Sequence, residues 1–105
     1  IIDLCAALFF MDEAKGLMMG GGHYSALEPR KYLYHLYLAF AEYHGIRPLA
    51  VTNFGKAITA AAREYGQEYL TRTIKGRRQT NVGISELADE FMPRAYGSEQ
   101  PRDEQ

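Results

Sequence analysis

An α+β domain of three helices followed by a β-hairpin is predicted by three observations. Apolar residues recur at helical spacing in three stretches before Gly66, and two β-prone runs flank a Lys-Gly-Arg-Arg turn after it. The 105 residues also leave room for a single core. Hydrophobic residues at 47% and charged residues at 24% are the balance of a globular chain, which argues against disorder and fibrous repeats.

Asp3 to Lys15 has helix-forming composition with Leu4, Leu8 and Met11 at i, i+4 and i+7, and Phe9 and Phe10 widen the apolar surface. Leu4, Leu8, Phe9, Phe10 and Met11 are therefore expected to form a homodimer interface, or to dock on the rest of a longer parent chain. Gly16 to Gly22, with four glycines, reads as a flexible joint. This divides the chain into an arm (1–22), a main domain (23–93) and a polar tail (94–105). Pro29 suits the first turn of a second helix reaching Tyr43, with Leu33, Leu36, Tyr37 and Phe40 on one face and Gly45 beyond its end. His44 to Val51 is an extended connector, because Pro48 disfavours helical geometry at Arg47.

Thr52 is the expected N-cap of the third helix, in which Phe54, Ile58, Ala61 and Tyr65 form the buried stripe. Asn53, Lys56, Ala60 and Arg63 lie opposite, and Gly66 closes the helix. Tyr69–Ile74 and Gln79–Ile84 form the hairpin around Lys75, Gly76, Arg77 and Arg78. A three-residue loop would pair Leu70 with Ile84 and Ile74 with Thr80, but it also puts Arg72 on that face beside Val82. Ser85 caps a short last helix through Met92, ended by Pro93. Three helices, then a hairpin, with extra N- and C-terminal helices, is a winged-helix arrangement, a variant of the helix-turn-helix.

Charge distribution points to a polyanion even though the net charge is −1. Between His44 and Ile84 seven basic residues face only Glu64 and Glu68, a local charge of +5, while the remainder carries −6. The candidate DNA-binding residues are Arg47, Asn53, Lys56 and Arg63 before the hairpin and Arg72, Lys75, Arg77, Arg78 and Gln79 on it. A lysine or arginine at an exposed turn needs no ligand to justify it. What favours DNA is the run of four basic residues without an acid directly after a basic amphipathic helix.

Leu36 to Tyr43, Pro48-Leu49-Ala50, Phe54-Gly55-Lys56 with Ile58, and a basic hairpin ending Gly83-Ile84 resemble the DNA-binding domain of the regulatory factor X family. The resemblance covers about half the chain, and the Phe-Gly-Lys step is its most specific part. The same layout is similar to the C-terminal domain of phage and plasmid primase-helicase initiators. That resemblance implies sequence-specific binding of double-stranded DNA at repeated sites of a replication origin, by the recognition end of a DNA primase and helicase. It further implies a strong share of DNA contact for the hairpin, while the apolar arm suits a homodimer on paired or repeated half-sites and is where a replication regulator could act. The regulatory factor X hairpin is rich in Arg, Gly and Tyr, whereas here it reads Thr-Ile-Lys-Gly-Arg-Arg-Gln-Thr-Asn, so Lys56, Arg77, Arg78 and Gln79 transfer by position only. A transcription-factor winged helix and a protein-interaction winged helix share these local features.

Other chemistries find little support. His23, His35, His44 and the single Cys5 lack metal-ligand spacing, so no metal and no cofactor are expected. Gly20-Gly21-Gly22 lacks the Lys-Ser or Lys-Thr of a phosphate loop, and no nucleophile or paired-carboxylate constellation is visible, so the fragment is read as non-enzymatic. The tyrosines are expected in the core with wet hydroxyls. The apolar opening is too short to span a bilayer, and the lone cysteine suggests a reduced, cytoplasmic setting in a bacterial host. The missing initiator Met is read as the mark of a piece of a longer protein.

Overall fold

The computed structural model describes residues 2–21 and 28–91. Its elements in chain order are α1 (Ile2–Cys5), β1 (Leu8–Phe10), α2 (Leu33–Tyr43), α3 (Val51–Glu64), β2 (Thr71–Ile74), β3 (Arg77–Thr80), β4 (Val82–Ile84) and a 3-10 helix (Glu86–Glu90). Two antiparallel two-stranded sheets result, β1–β4 and β2–β3. The α+β class is as the sequence predicts.

The N-terminal arm differs from expectation. Instead of one helix from Asp3 to Lys15, a single helical turn leads into a strand, with Leu8 opposite Ile84, Phe9 opposite Gly83 and Phe10 opposite Val82. Strand alternation sends the apolar side chains to two faces instead of one stripe. Leu4 and Leu8 are core residues, Phe10 packs against the core and Met11 is half-buried. Phe9 is half exposed, but its ring lies over Gly83, where any Cβ would strike it. The five-residue dimer face therefore does not exist as a continuous exposed surface.

Nor is Gly16–Gly21 a loose joint. Gly16 and Leu17 donate backbone bonds to Thr80 and Val82, Met19 donates to Arg78, and Thr80 donates back to Leu17. On the other side the amides of Leu33 and Tyr34 donate to Met18 and Met19. The arm is thus built into the same core as the helices, and the boundary drawn at Gly22 separates no independent body. His35, 1% exposed, then closes the next stretch: its Nδ1 accepts from the Glu28 amide at 2.8 Å and its Nε2 lies 3.0 Å from the Gly21 carbonyl. A ring nitrogen that accepts carries no proton, so Nε2 is the donor.

α2 starts at Leu33, four residues after Pro29, and buries Leu33, Leu36, Tyr37 and Phe40 as expected. Gly45, at φ 66°, supplies the left-handed residue beyond its end. α3 begins at Val51 with Ala50 as N-cap and no side-chain cap, so Thr52 does not cap it. Two tyrosines fix that start instead. The Tyr34 hydroxyl donates to the Leu49 carbonyl at 2.7 Å, and the Leu49 amide donates to the Tyr37 hydroxyl at 2.8 Å. Both rings pack on the fully buried Phe54, Tyr37 stacked at 4.4 Å and Tyr34 tilted at 5.7 Å. Phe54, Ile58, Ala61 and Ala62 form the buried face of α3, while Tyr65, expected within it, is 45% exposed beyond the helix end.

The hairpin register also departs from expectation. Ile74 pairs with Arg77, Thr73 with Arg78, Arg72 with Gln79 and Thr71 with Thr80. The loop is two residues, Lys75 and Gly76, with φ 50° and 78°, the left-handed pair of a type I′ turn whose twist suits a hairpin. The chain leaves this sheet at Asn81 and joins β1 as β4, so Ile84 never meets Leu70. Asn81 is fully buried and its amide holds the crossing: Oδ1 accepts from the Leu70 amide at 2.9 Å, and Nδ2 donates to the Met11 and Glu68 carbonyls, each at 2.8 Å. Ser85 caps the 3-10 helix, accepting from the Leu87 amide at 3.2 Å. Met92 and Pro93, read as that helix's end, lie outside the described residues, as do His23 and the 94–105 tail.

Candidate nucleic-acid interface

A cleft of about 840 Å³ lies between α3, the β2–β3 hairpin and the Met18–Gly21 segment. α3 contributes Val51, Thr52, Gly55, Lys56 and Thr59 to it. The hairpin contributes Thr71, Gly76, Arg77 and Arg78, and Tyr69 and Tyr32 complete the walls. Three cations from two elements thus meet one concavity, and among the described residues no carboxylate lines it. Their convergence follows from the fold. Phe54 and Ile58 anchor α3 by its opposite face, and hydrogen bonds to Gly16–Met19 hold β3 in place across the cleft.

The remaining candidates stand outside the lining, all exposed except the half-buried Gln79. Asn53 and Arg63 sit on α3, Arg47 on the connector and Lys75 at the hairpin turn. Arg72 is held flat against its cross-strand partner, its Nε and Nη2 donating to Gln79 Oε1 at 3.1 and 2.9 Å. Gln79 Nε2 in turn donates to the Gly16 carbonyl at 2.9 Å. With its oxygen and its nitrogen both engaged inside the chain, Gln79 is placed as a brace for the hairpin and for Arg72. Among the described residues no three His, Cys, Asp or Glu side chains come together as a metal site would require, and no helix is long and apolar enough to cross a membrane.

Sequence reasoning missed Thr59, Thr71, Tyr69 and the Met18–Gly21 wall, and gave Thr52 a capping role. One signal was present. Thr52, Lys56, Thr59 and Arg63 recur at i, i+4, i+7 and i+11, a polar stripe that matches helical spacing better than the Asn53–Ala60 face. The Met18–Gly21 wall had no local signal, because hydrogen bonds to residues some sixty positions later bring it there.

Tyr69 is the one lining residue with a strongly shifted acidity. Burial pushes its phenol up to about 12, against a smaller opposite pull from Arg78, and its hydroxyl is buried without a hydrogen-bond partner among the described residues. A phenol free in the unfolded chain ionises near pH 10. The folded state then keeps its proton while the unfolded state loses it, so stability is full below about pH 10 and falls as pH rises toward about 12. Tyr69→Phe should therefore show a shallower loss of urea midpoint across that window, and a decline identical to the parent's would refute the assignment.

The family described as Poxvirus D5 protein-like matches residues 7–93, most of the chain. The chain belongs to that family. Among solved structures, the crystal structure of the phage P4 origin-binding domain is similar to this family member with a TM-score of 0.82 and 33% identity, over 89% of this chain and 95% of that one. The resemblance to the origin-recognition end of phage primase-helicase initiators is borne out by this likeness.

Proposed function

We propose that the chain is a winged-helix module that binds double-stranded DNA at a replication origin, with the cleft between α3 and the hairpin at the centre of its interface. The observation that carries this reading is the meeting of Lys56, Arg77 and Arg78 in a cleft to which the described residues bring no carboxylate. A polyanion entering it releases counterions and meets donors from two rigid walls. Support comes from the likeness to the phage P4 origin-binding domain and from the +5 charge of the His44–Ile84 stretch. Arg63, Arg72 and Lys75, exposed around the cleft, extend the phosphate contacts to five or six. The hydroxyls of Thr52 and Thr59 and the amide of Asn53 are the neutral groups within reach of base edges. On this reading the chain is the non-catalytic recognition end of a primase-helicase, and two copies occupy repeated sites through surfaces other than Leu4 and Leu8.

The test is fluorescence anisotropy with a duplex from the origin of the chain's own replicon and a scrambled duplex of equal length. Binding should be tighter to the origin duplex, and log affinity should fall against log salt with a slope of roughly −5 for five to six phosphate contacts. Equal affinity for the two duplexes would remove the origin from the reading. No binding to either at moderate salt would remove DNA.

A further inference from the structure

Glycine inside a helix lowers helix stability, so a glycine there needs a reason. Most of the described glycines have one within the chain. Gly20, Gly45, Gly66 and Gly76 have positive φ, and at Gly16 and Gly83 a Cβ would run into Val82 backbone or the Phe9 ring. Two have no such reason. At Gly21 and at Gly55, inside α3, an added Cβ would meet no atom of the described residues within 4 Å, and neither has positive φ. Both line the same cleft, on different walls, beside Lys56, Arg77 and Arg78. The Gly55 carbonyl accepts from Thr59 Oγ1 at 2.8 Å, a bond that any residue at that position could keep.

We infer that Gly21 and Gly55 are close-approach points for the nucleic acid: the bare backbone at these two positions admits a DNA strand between the Met18–Gly21 wall and α3. This rests on the duplex-DNA reading and adds to it the place where the strand passes. The charges attract the DNA and the glycines admit it. Helix stability given up at Gly55 is then recovered only when the DNA is bound, as contact between the sugar-phosphate chain and the helix backbone.

The experiment uses the whole chain as parent, Gly55→Ala and Gly21→Ala, with melting temperature and duplex affinity measured for each. Gly55→Ala should melt higher by about 4 °C, as an exposed helical glycine replaced by alanine does. Both variants should bind duplex DNA about tenfold more weakly, because a methyl group in a filled contact has to displace something. The salt slope should stay at the parent value, since no charge is lost. Parent affinity in either variant overturns the inference. A lower melting temperature for Gly55→Ala overturns it too, because the space beside Gly55 would then belong to the chain itself. If the parent does not bind duplex DNA, the reading beneath falls and takes the inference with it, an outcome distinct from parent and variants binding alike.

Discussion

Replacing Lys56, Arg77 and Arg78 together by alanine is expected to weaken duplex binding on the order of 500-fold at 0.1 M salt. The figure follows from counterion release. Each lost phosphate contact takes about 0.9 from the slope of log affinity against log salt, so three contacts take about 2.7, which at 0.1 M is the same number of decades. All three side chains are exposed and form no ion pair among those found in the described residues, so the fold should not register their loss. Arg47→Ala provides the contrast. It lies on the connector outside the cleft and should cost at most one contact. Salt-dependent anisotropy on the triple variant checks both quantities. An unchanged slope at unchanged melting temperature would mean that the cleft is not where the phosphates sit.

Asn81→Ala should cost about 3–6 kcal/mol, against a total of roughly 5–15 kcal/mol for a domain of this kind. Three backbone groups lose their partner at once: the Leu70 amide and the Met11 and Glu68 carbonyls. The three bonds are part-buried, so each group left unsatisfied costs about 1–2 kcal/mol, the lower part of the range for buried groups. The melting temperature should drop by more than about 12 °C. Asn81→Asp should be no better, since it keeps the acceptor for Leu70 but turns an oxygen toward two carbonyls and buries a charge. Calorimetry decides, and an Asn81→Ala variant melting within a few degrees of the parent would show that water takes over the amide's role.

The local sequence was sufficient for some of this and not for the rest, and the division follows contact distance along the chain. α3 was legible because Phe54, Ile58 and Ala61 repeat at helical spacing. The Ser85 cap was legible because an N-cap acts within three residues. β1 was not legible, since Leu-Phe-Phe serves a helix or a strand equally well and its partner, Val82–Ile84, lies more than seventy residues away. The hairpin was visible as a hairpin, yet its register turned on Lys75 taking a left-handed φ, which composition does not announce. Asn81 reads in sequence as one more residue of the Gln79–Ile84 strand, and only the switch between two sheets gives its buried amide three partners. At the candidate site the cations were legible and the cleft was not. Lys56, Arg77 and Arg78 were chosen for charge, and what joins them is a concavity with a third wall from the far end of the chain.

His35 fastens the Glu28 amide and the Gly21 carbonyl with one imidazole from the core. Gly21, one of its two anchors, is also part of the cleft wall. A substitution at His35, buried and outside the cleft lining, would thus be felt at the candidate interface through the Gly21 carbonyl that it holds.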